Sequence, residues 1–365
     1  MTRPRIPCSA PAPREDAAAV RSAIDRVLAS GWFILGPEVE AFEAEFAAAC
    51  GTSYGIGVGN GTDAIAVILR ALGVGPGDEV ITSPLSAAYT ALAIMMTGAR
   101  PVFADVETDT LTIDAAAVAR AITARTRAIL PVHLYGQAAD LDALAHVAAQ
   151  HDVALVEDCC QAHLATANGR PVGTVGIAGA FSFYPTKNLG ALGDGGAVVT
   201  NDAALADRVR RIRNGGQTDR YHHELPGVNS RLDEMQAAVL RARLPFLADW
   251  TRARRRVASI YRRALSGAPV RMLPERDPGH VYHLFVVRSP NRDALQRHLG
   301  ARGIETLVHY PIPIPAQAAV RHQNPAECPV AAAACREVLS LPMYPALADA
   351  AIADVASSIC SFQEG

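Results

Sequence analysis

Apolar residues recur at helical spacing in the first part of the chain. Val20, Ile24, Val27 and Leu28 precede Gly31, and Val39, Phe42 and Phe46 precede Gly51. That period puts each set on one helix face, and a glycine after the last apolar residue is a stop signal, so two amphipathic helices are predicted. The pattern then changes. Short apolar runs appear at YGIGV (54–58), Glu79–Ser83, Pro101–Asp105, Ala128–Val132, Ala154–Glu157, Ala180–Phe183 and Gly196–Thr200. Helix-like stretches lie between most of them, at 63–72, 86–97, 114–122, 140–150 and 202–213. Strand, helix, strand in series implies right-handed crossovers and a mostly parallel sheet flanked by helices.

Near residue 245 the texture changes again. Trp250–Leu265 reads as a helix with an arginine cluster at Arg252–Arg256, Tyr282–Val287 as a strand and Asn291–Arg302 as a helix. The remainder mixes proline turns with alanine-rich helix. The expected organisation is a large α/β domain over residues 1–247, N-terminal helices included, and a smaller α+β domain over 248–365. The arginine cluster is expected to be a solvated helix face.

Composition removes several function classes. The formal charge of −2 gives no basic field for nucleic acid. No apolar run approaches the roughly 18 residues of a membrane span. The opening stretch, MTRPRIPCSAPAPRED, lacks the apolar segment of a secretory signal. The 7 cysteines are odd in number and lack framework spacing, which predicts reduced thiols in a cytoplasmic protein. Cys159, Cys160 and His163 cluster, but the set stops at three ligands, so no metal is expected.

The charged residues then supply the most pointed signal. Of 34 basic side chains one alone is lysine, Lys187. An arginine bias explains losing lysines where only charge matters, but not keeping this one. A guanidinium is too weak a nucleophile to form an imine with an aldehyde, whereas a deprotonated primary amine forms one readily. Lys187 lies in FSFYPTKNLGALGDGG (181–196), between an apolar strand and a glycine-rich turn. The competing reading is a surviving surface lysine.

Three further segments converge on the same chemistry, because open α/β sheets bind ligands outside the carboxyl ends of their strands. GNGTDA (59–64) follows a strand and opens a helix; its glycines admit a phosphate, and N-terminal N–H groups with Thr62 can bind it. The same letters fit a loose dinucleotide fingerprint, without the acidic residue expected about 20 positions later. In VEDCCQAH (156–163), Asp158 ends an apolar strand, either as a helix cap or as the fixed partner of a cation such as a protonated pyridine. Gln161 is placed to bond a polar group on the same ligand face. In GVNSRLDEMQAA (227–238), Asn229 and Arg231 precede a helix that Asp233 or Ser230 could cap. Aldehyde, phosphate and pyridine in one molecule describe pyridoxal 5′-phosphate.

Together these segments resemble the sugar aminotransferases of the DegT/DnrJ/StrS family, pyridoxal-phosphate enzymes of fold type I. The similarity runs from GPEVEAFE (36–43) to LPMYP (341–345). It implies an aspartate aminotransferase-like fold with a seven-stranded-type sheet. It implies that Lys187 carries the cofactor as a Schiff base, that Asp158 pairs with the pyridine nitrogen and that Gln161 contacts the ring-hydroxyl side. Gly61, Thr62 and Ser182 would bind the phosphate. Asn229 would reach the phosphate of the neighbouring subunit, which implies a homodimer with shared sites. The implied reaction moves an amine from L-glutamate to a nucleotide-linked 3- or 4-keto-6-deoxyhexose in aminosugar biosynthesis, and YPTKNLGALGDGG resembles the 3-keto group. Substrate candidates are His309, Tyr310, Tyr184 and Arg231, with WFILG (32–36) and Tyr221–His223 also open; a packed strand end is the other reading of His309-Tyr310. The chain departs from the family at Ala87, where an aromatic residue often covers the cofactor; Tyr89 is two positions on.

Four alternatives remain open. A dehydratase of the same fold carries histidine in place of lysine, which Lys187 opposes. A cyclitol aminotransferase acting on a keto-inositol has the same site. A non-catalytic regulator that binds cofactor or sugar has no need of an imine-forming amine. An NAD dehydrogenase rests only on GNGTDA and leaves Lys187 without a role.

Overall fold

The computed structural model describes residues 5–320 and 327–363; the first four residues of the opening stretch lie outside that range. Strands Tyr54–Val58, Gly196–Thr200, Ala178–Ser182, Ala154–Asp158, Thr126–Leu130, Glu79–Thr82 and Arg100–Phe103 lie side by side in that order. Gly196–Thr200 runs antiparallel to both neighbours, and the other pairings are parallel. The reason is local. A parallel return needs a crossover, usually a helix. Residues 183–195 form none, so the chain doubles back beside the strand it has just left. That return loop carries Lys187.

Alternate residues of each strand enter different cores, as a side-chain period of two requires. Ile81, Ile129, Leu155 and Phe181 pack with Val39, Phe42 and Phe46 of helix Pro37–Cys50 and Leu144 of helix Leu141–His151. Val80, Leu130, Val156 and Ala180 pack with Ile65 and Ile68 of helix Gly61–Ala71 and Leu205 of helix Ala203–Arg213. The result is a three-layer α/β/α body. Beneath the lysine loop, Phe183 meets Phe46 edge to face at 5.1 Å and Phe42 at 5.3 Å. Truncating such a buried phenylalanine to alanine costs about 3–5 kcal/mol, so the loop stands on a stiff base.

The C-terminal part holds an antiparallel sheet of Arg271–Met272, Phe285–Arg288 and Val338–Leu341. Helices Leu247–Ala264, Arg292–Ala301 and Asp349–Cys360 close its core through Val257, Tyr261, Leu295 and Ile352. The start of the described chain returns to this core: Ile6 joins it and bridges to Ile304.

Three sequence readings are corrected. Leu28 of helix Ala17–Ser30 is 58% exposed, and Ala23 and Val27 instead fill the contact with Ala238. The arginine cluster is not uniformly solvated. Arg252, Arg255 and Arg256 are exposed, but Arg254 is turned inward and is 6% exposed. Neither proposed cap closes helix Glu234–Arg243: Asp233 makes no capping bond, and Ser230 bonds elsewhere. Glu234 serves another helix, accepting the N–H groups of Gly36, Glu38 and Val39 at 2.9, 2.9 and 2.8 Å at the start of Pro37–Cys50. A carboxylate there meets the positive end of the helix dipole. The Glu234 N–H also bonds Phe33 O at 3.0 Å, and Ile34 bridges Asp233, which ties down the exposed residues Phe33 and Ile34. Cys8, Cys50, Cys159, Cys160, Cys335 and Cys360 are free thiols. No helix among the described residues is long and apolar enough to cross a membrane.

Candidate active site

Asp158 sits at the carboxyl end of its strand, 3% exposed. No helix follows in residues 159–165, so the helix-cap reading fails. Its carboxylate is instead held from two sides. Thr90 Oγ1 donates to Oδ2 at 2.8 Å and the Cys160 N–H to Oδ1 at 3.1 Å. The backbone is tied as well, with Asp158 N–H on Pro131 O at 2.9 Å and His133 N–H on Asp158 O at 3.1 Å. Thr90 was missed in the sequence. Tyr89, the aromatic residue of segment 84–91, is 65% exposed, while the next residue along the helix turns inward to the carboxylate.

The neighbouring strand end supplies an anion-receptive cradle. Helix Gly61–Ala71 begins just after strand Tyr54–Val58, and Asn60 caps it, its Oδ1 accepting the Asp63 N–H at 2.9 Å. The N–H groups of Gly61 and Thr62 have no acceptor among the described residues. Free N–H groups at the positive end of a helix are a ready site for phosphate. Close packing makes two glycines necessary. A Cβ on Gly61 would lie 2.7 Å from both Cys160 Sγ and Ser182 Cβ, and one on Gly196 would lie 2.4 Å from the Asn60 carbonyl. Gly196 is the partner of both Val58 and Ser182 in the sheet, so Ser182, Gly61 and Cys160 are forced together. Ser230, which sequence reasoning treated as a cap, braces this cradle: its hydroxyl donates to Asp63 Oδ2 at 2.6 Å and accepts the Gly59 N–H at 2.9 Å.

Lys187 faces the same space. Its loop is closed by Ala191 N–H on Phe183 O at 2.7 Å and Lys187 N–H on Tyr184 O at 2.8 Å. Burial pulls the ammonium below its usual pKa, against the opposing pull of Cys160 and Asp158. Three histidines surround it. Burial, reinforced by the Lys187 charge, lowers His163 to about 3, His309 to about 4 and His283 well below the ordinary range. All three are therefore neutral near pH 7 and add no positive charge beside Lys187. His163 is fully buried against Phe181 and Phe183, with neither ring nitrogen hydrogen-bonded.

The remaining expected residues divide into two groups. Gln161 is in the site: its Oε1 accepts the Tyr135 N–H at 2.8 Å, and its Nε2 donates to Tyr310 Oη at 3.0 Å. His309 comes with Tyr310, its Nδ1 bonded to Ser340 Oγ at 2.8 Å. Asn229 and Tyr184 are exposed, and Arg231 Nη1 bonds Asn214 Oδ1 at 3.2 Å. Among the described residues, no hydrogen bond links these three side chains to Lys187 or Asp158 within one chain. Tyr221 to His223 form the tip and return of an exposed hairpin.

Glu157, on the opposite strand face from Asp158, was also missed. Its carboxylate accepts His133 Nε2 at 2.9 Å and the N–H groups of Gly173, Val175 and Gly176 at 2.6, 2.9 and 2.7 Å. His133, Glu157 and Cys159 lie close enough together to hold a metal. However, four donors already occupy the carboxylate, and the Ala139 N–H occupies His133 Nδ1 at 3.2 Å. Glu157 and His133 form a clasp that holds the strand end and so steadies Asp158 from behind.

A fixed carboxylate, two free helix N–H groups and a desolvated amine on one sheet edge fit pyridoxal phosphate. Residues 14–360 match the DegT/DnrJ/EryC1/StrS aminotransferase family. The chain is 51% identical over 332 residues to a dTDP-3-amino-3,4,6-trideoxy-alpha-D-glucose transaminase of Streptomyces venezuelae, spanning 89% of this chain and 87% of that one. It is 46% identical over 342 residues to the UDP-N-acetyl-3-dehydro-alpha-D-glucosamine 3-aminotransferase of Acidithiobacillus ferrooxidans, spanning 93% and 92%. The crystal structure of S. venezuelae DesV in complex with a ketimine intermediate aligns with a TM-score of 0.94 at 48% identity over 98% of each chain. With the fold, the sheet-edge site and these similarities in agreement, the chain belongs to the DegT/DnrJ/EryC1/StrS aminotransferase family, and it is an aminotransferase.

Proposed function

We propose that this enzyme transfers the amino group of L-glutamate to a nucleotide-linked keto-deoxyhexose, at the 3-keto position, using pyridoxal phosphate held at Lys187. The observation that carries the reading is the convergence of Lys187, Asp158 and the free N–H groups of Gly61 and Thr62 on one sheet edge. The relatives named above aminate sugar C3, which favours that carbon over C4.

When bound, pyridoxal phosphate supplies an aldehyde and an electron-withdrawing ring. Asp158, oriented by Thr90 and the Cys160 N–H, holds a proton on the ring nitrogen. Gly61, Thr62 and Ser182 bind the phosphate, and Gln161 orients the ring from the hydroxyl side. Lys187, its amine favoured by burial, would be the group that takes the proton from the donor Cα. His309 and Tyr310 position the sugar, with Tyr184 and Arg231 at the rim. Asn229 completes the phosphate site of the partner subunit in a homodimer, which accounts for its exposure in the single chain.

The test is a panel of acceptors incubated with L-glutamate and cofactor. Amination of dTDP- or UDP-linked 3-keto sugars with equimolar 2-oxoglutarate is the expected result. Amination of keto-inositols alone would replace this reading with a cyclitol aminotransferase.

A further inference from the structure

The inward turn of Arg254 has no explanation in the chemistry above. It is the one arginine of its helical cluster that is buried. Nη1 donates to three backbone carbonyls, Tyr282 O at 3.1 Å, Met343 O at 3.2 Å and His283 O at 3.3 Å. Nε has no acceptor, and no carboxylate pairs with the group among the described residues. Carbonyls satisfy one nitrogen but do not neutralise the charge. A buried cation without a counter-ion carries a desolvation penalty that nothing offsets, and burial duly lowers this guanidinium to about 10.

Arg254 lines a cavity shared with Lys187, Asn188, Ser9, Arg243 and Tyr344. The acids in its wall are already engaged. Asp16 pairs with Arg243 at 2.9 Å, and Glu15 accepts Trp250 Nε1. Neighbouring His163 and His283 are neutral. The cavity therefore keeps an unbalanced positive charge on Arg254 beside the lysine. A guanidinium fork matches a planar carboxylate.

We infer that this cavity is a carboxylate subsite, with Arg254 as its fixed cation, which seats the amino donor with its amine toward Lys187. The inference rests on the aminotransferase reading above and assigns the donor's anchor within it. A dicarboxylate such as L-glutamate carries the required group, whereas a neutral amine does not.

The test titrates the cofactor-loaded protein with glutarate, which has no amine and cannot react, by calorimetry. Wild type should bind glutarate, and Arg254→Gln should weaken it about tenfold or more. Because Arg254→Gln also disturbs three carbonyl contacts, Ser9→Asp provides a second variant. It keeps the arginine, places a competing carboxylate in the cavity, and should weaken glutarate similarly. Binding of dTDP should be unchanged in both. Glutarate binding equal in wild type and the folded variants would overturn the subsite. So would a dependence on Arg254 shown by dTDP alone, which would assign the cation to a nucleotide phosphate. L-glutamate conversion by wild type, followed spectroscopically alongside, separates failure of the subsite from failure of the aminotransferase reading.

Discussion

Thr90 Oγ1 donates a 2.8 Å hydrogen bond to Asp158 Oδ2, joining the start of one helix to the end of a strand 68 residues away in sequence. The bond fixes which way the carboxylate faces. Thr90→Val, nearly isosteric, should leave the fold intact and lower kcat about tenfold, the value of one charge-assisted hydrogen bond. Thr90→Ser should retain most activity. Steady-state kinetics of the two variants check this, and equal rates would mean the Cys160 N–H alone holds the carboxylate.

The cradle at Gly61 should tolerate no side chain. Gly61→Ala brings Cβ within 2.7 Å of Cys160 Sγ and Ser182 Cβ, which must move apart. Overpacking of this kind costs about 1–3 kcal/mol, and on the proposed phosphate role of Ser182 its displacement should weaken cofactor binding. A cofactor titration should show a raised Kd, together with a lowered Tm.

The buried histidines set an acid limit. His163 and His280 fall to about 3 and His309 to about 4, so each native pKa lies below its unfolded value. Between those values and about 6.5 the unfolded chain binds more protons, so stability is fully present above about pH 6.5 and is lost as pH falls. Denaturant unfolding from pH 7 to pH 4 should show stability declining by several kcal/mol. His163→Leu should reduce the slope by up to about one proton. An unchanged slope would mean His163 is not held neutral.

The exposed Asn229 tests the shared-site homodimer. Lys187→Ala and Asn229→Ala protomers, each inactive or weakened alone, should regain activity when mixed and allowed to exchange subunits. A mixed dimer then has one intact site, with lysine from one protomer and asparagine from the other. No recovery after verified exchange would place Asn229 outside the partner's site.

The legible part of this protein was local. A single lysine, a carboxylate at a strand end and glycines before a helix are each recognised from a few adjacent residues, and the fold brings the three segments to neighbouring strand ends. The strands were legible too, because short apolar runs between helices leave few alternatives. What escaped depends on distant contacts. Thr90 looks like any helix residue until Asp158 is placed beside it. Glu234 reads as part of its own helix but caps one that begins about 200 residues earlier. Arg254 shares its composition with exposed neighbours, and only the helix phase against the C-terminal sheet buries it. Gly196–Thr200 reads as one more parallel strand until the missing crossover is noticed.

The most direct test is to supply pyridoxal phosphate, reduce with borohydride, digest and locate the added mass. The account predicts reduced cofactor covalently attached to the peptide containing Lys187, and its loss when L-glutamate is added before reduction. Lys187→Arg, which keeps the charge without the nucleophile, should carry no label. No label on the wild-type lysine, or a label indifferent to L-glutamate, would contradict the assignment of Lys187 as the residue that holds the cofactor and exchanges it with the amino donor.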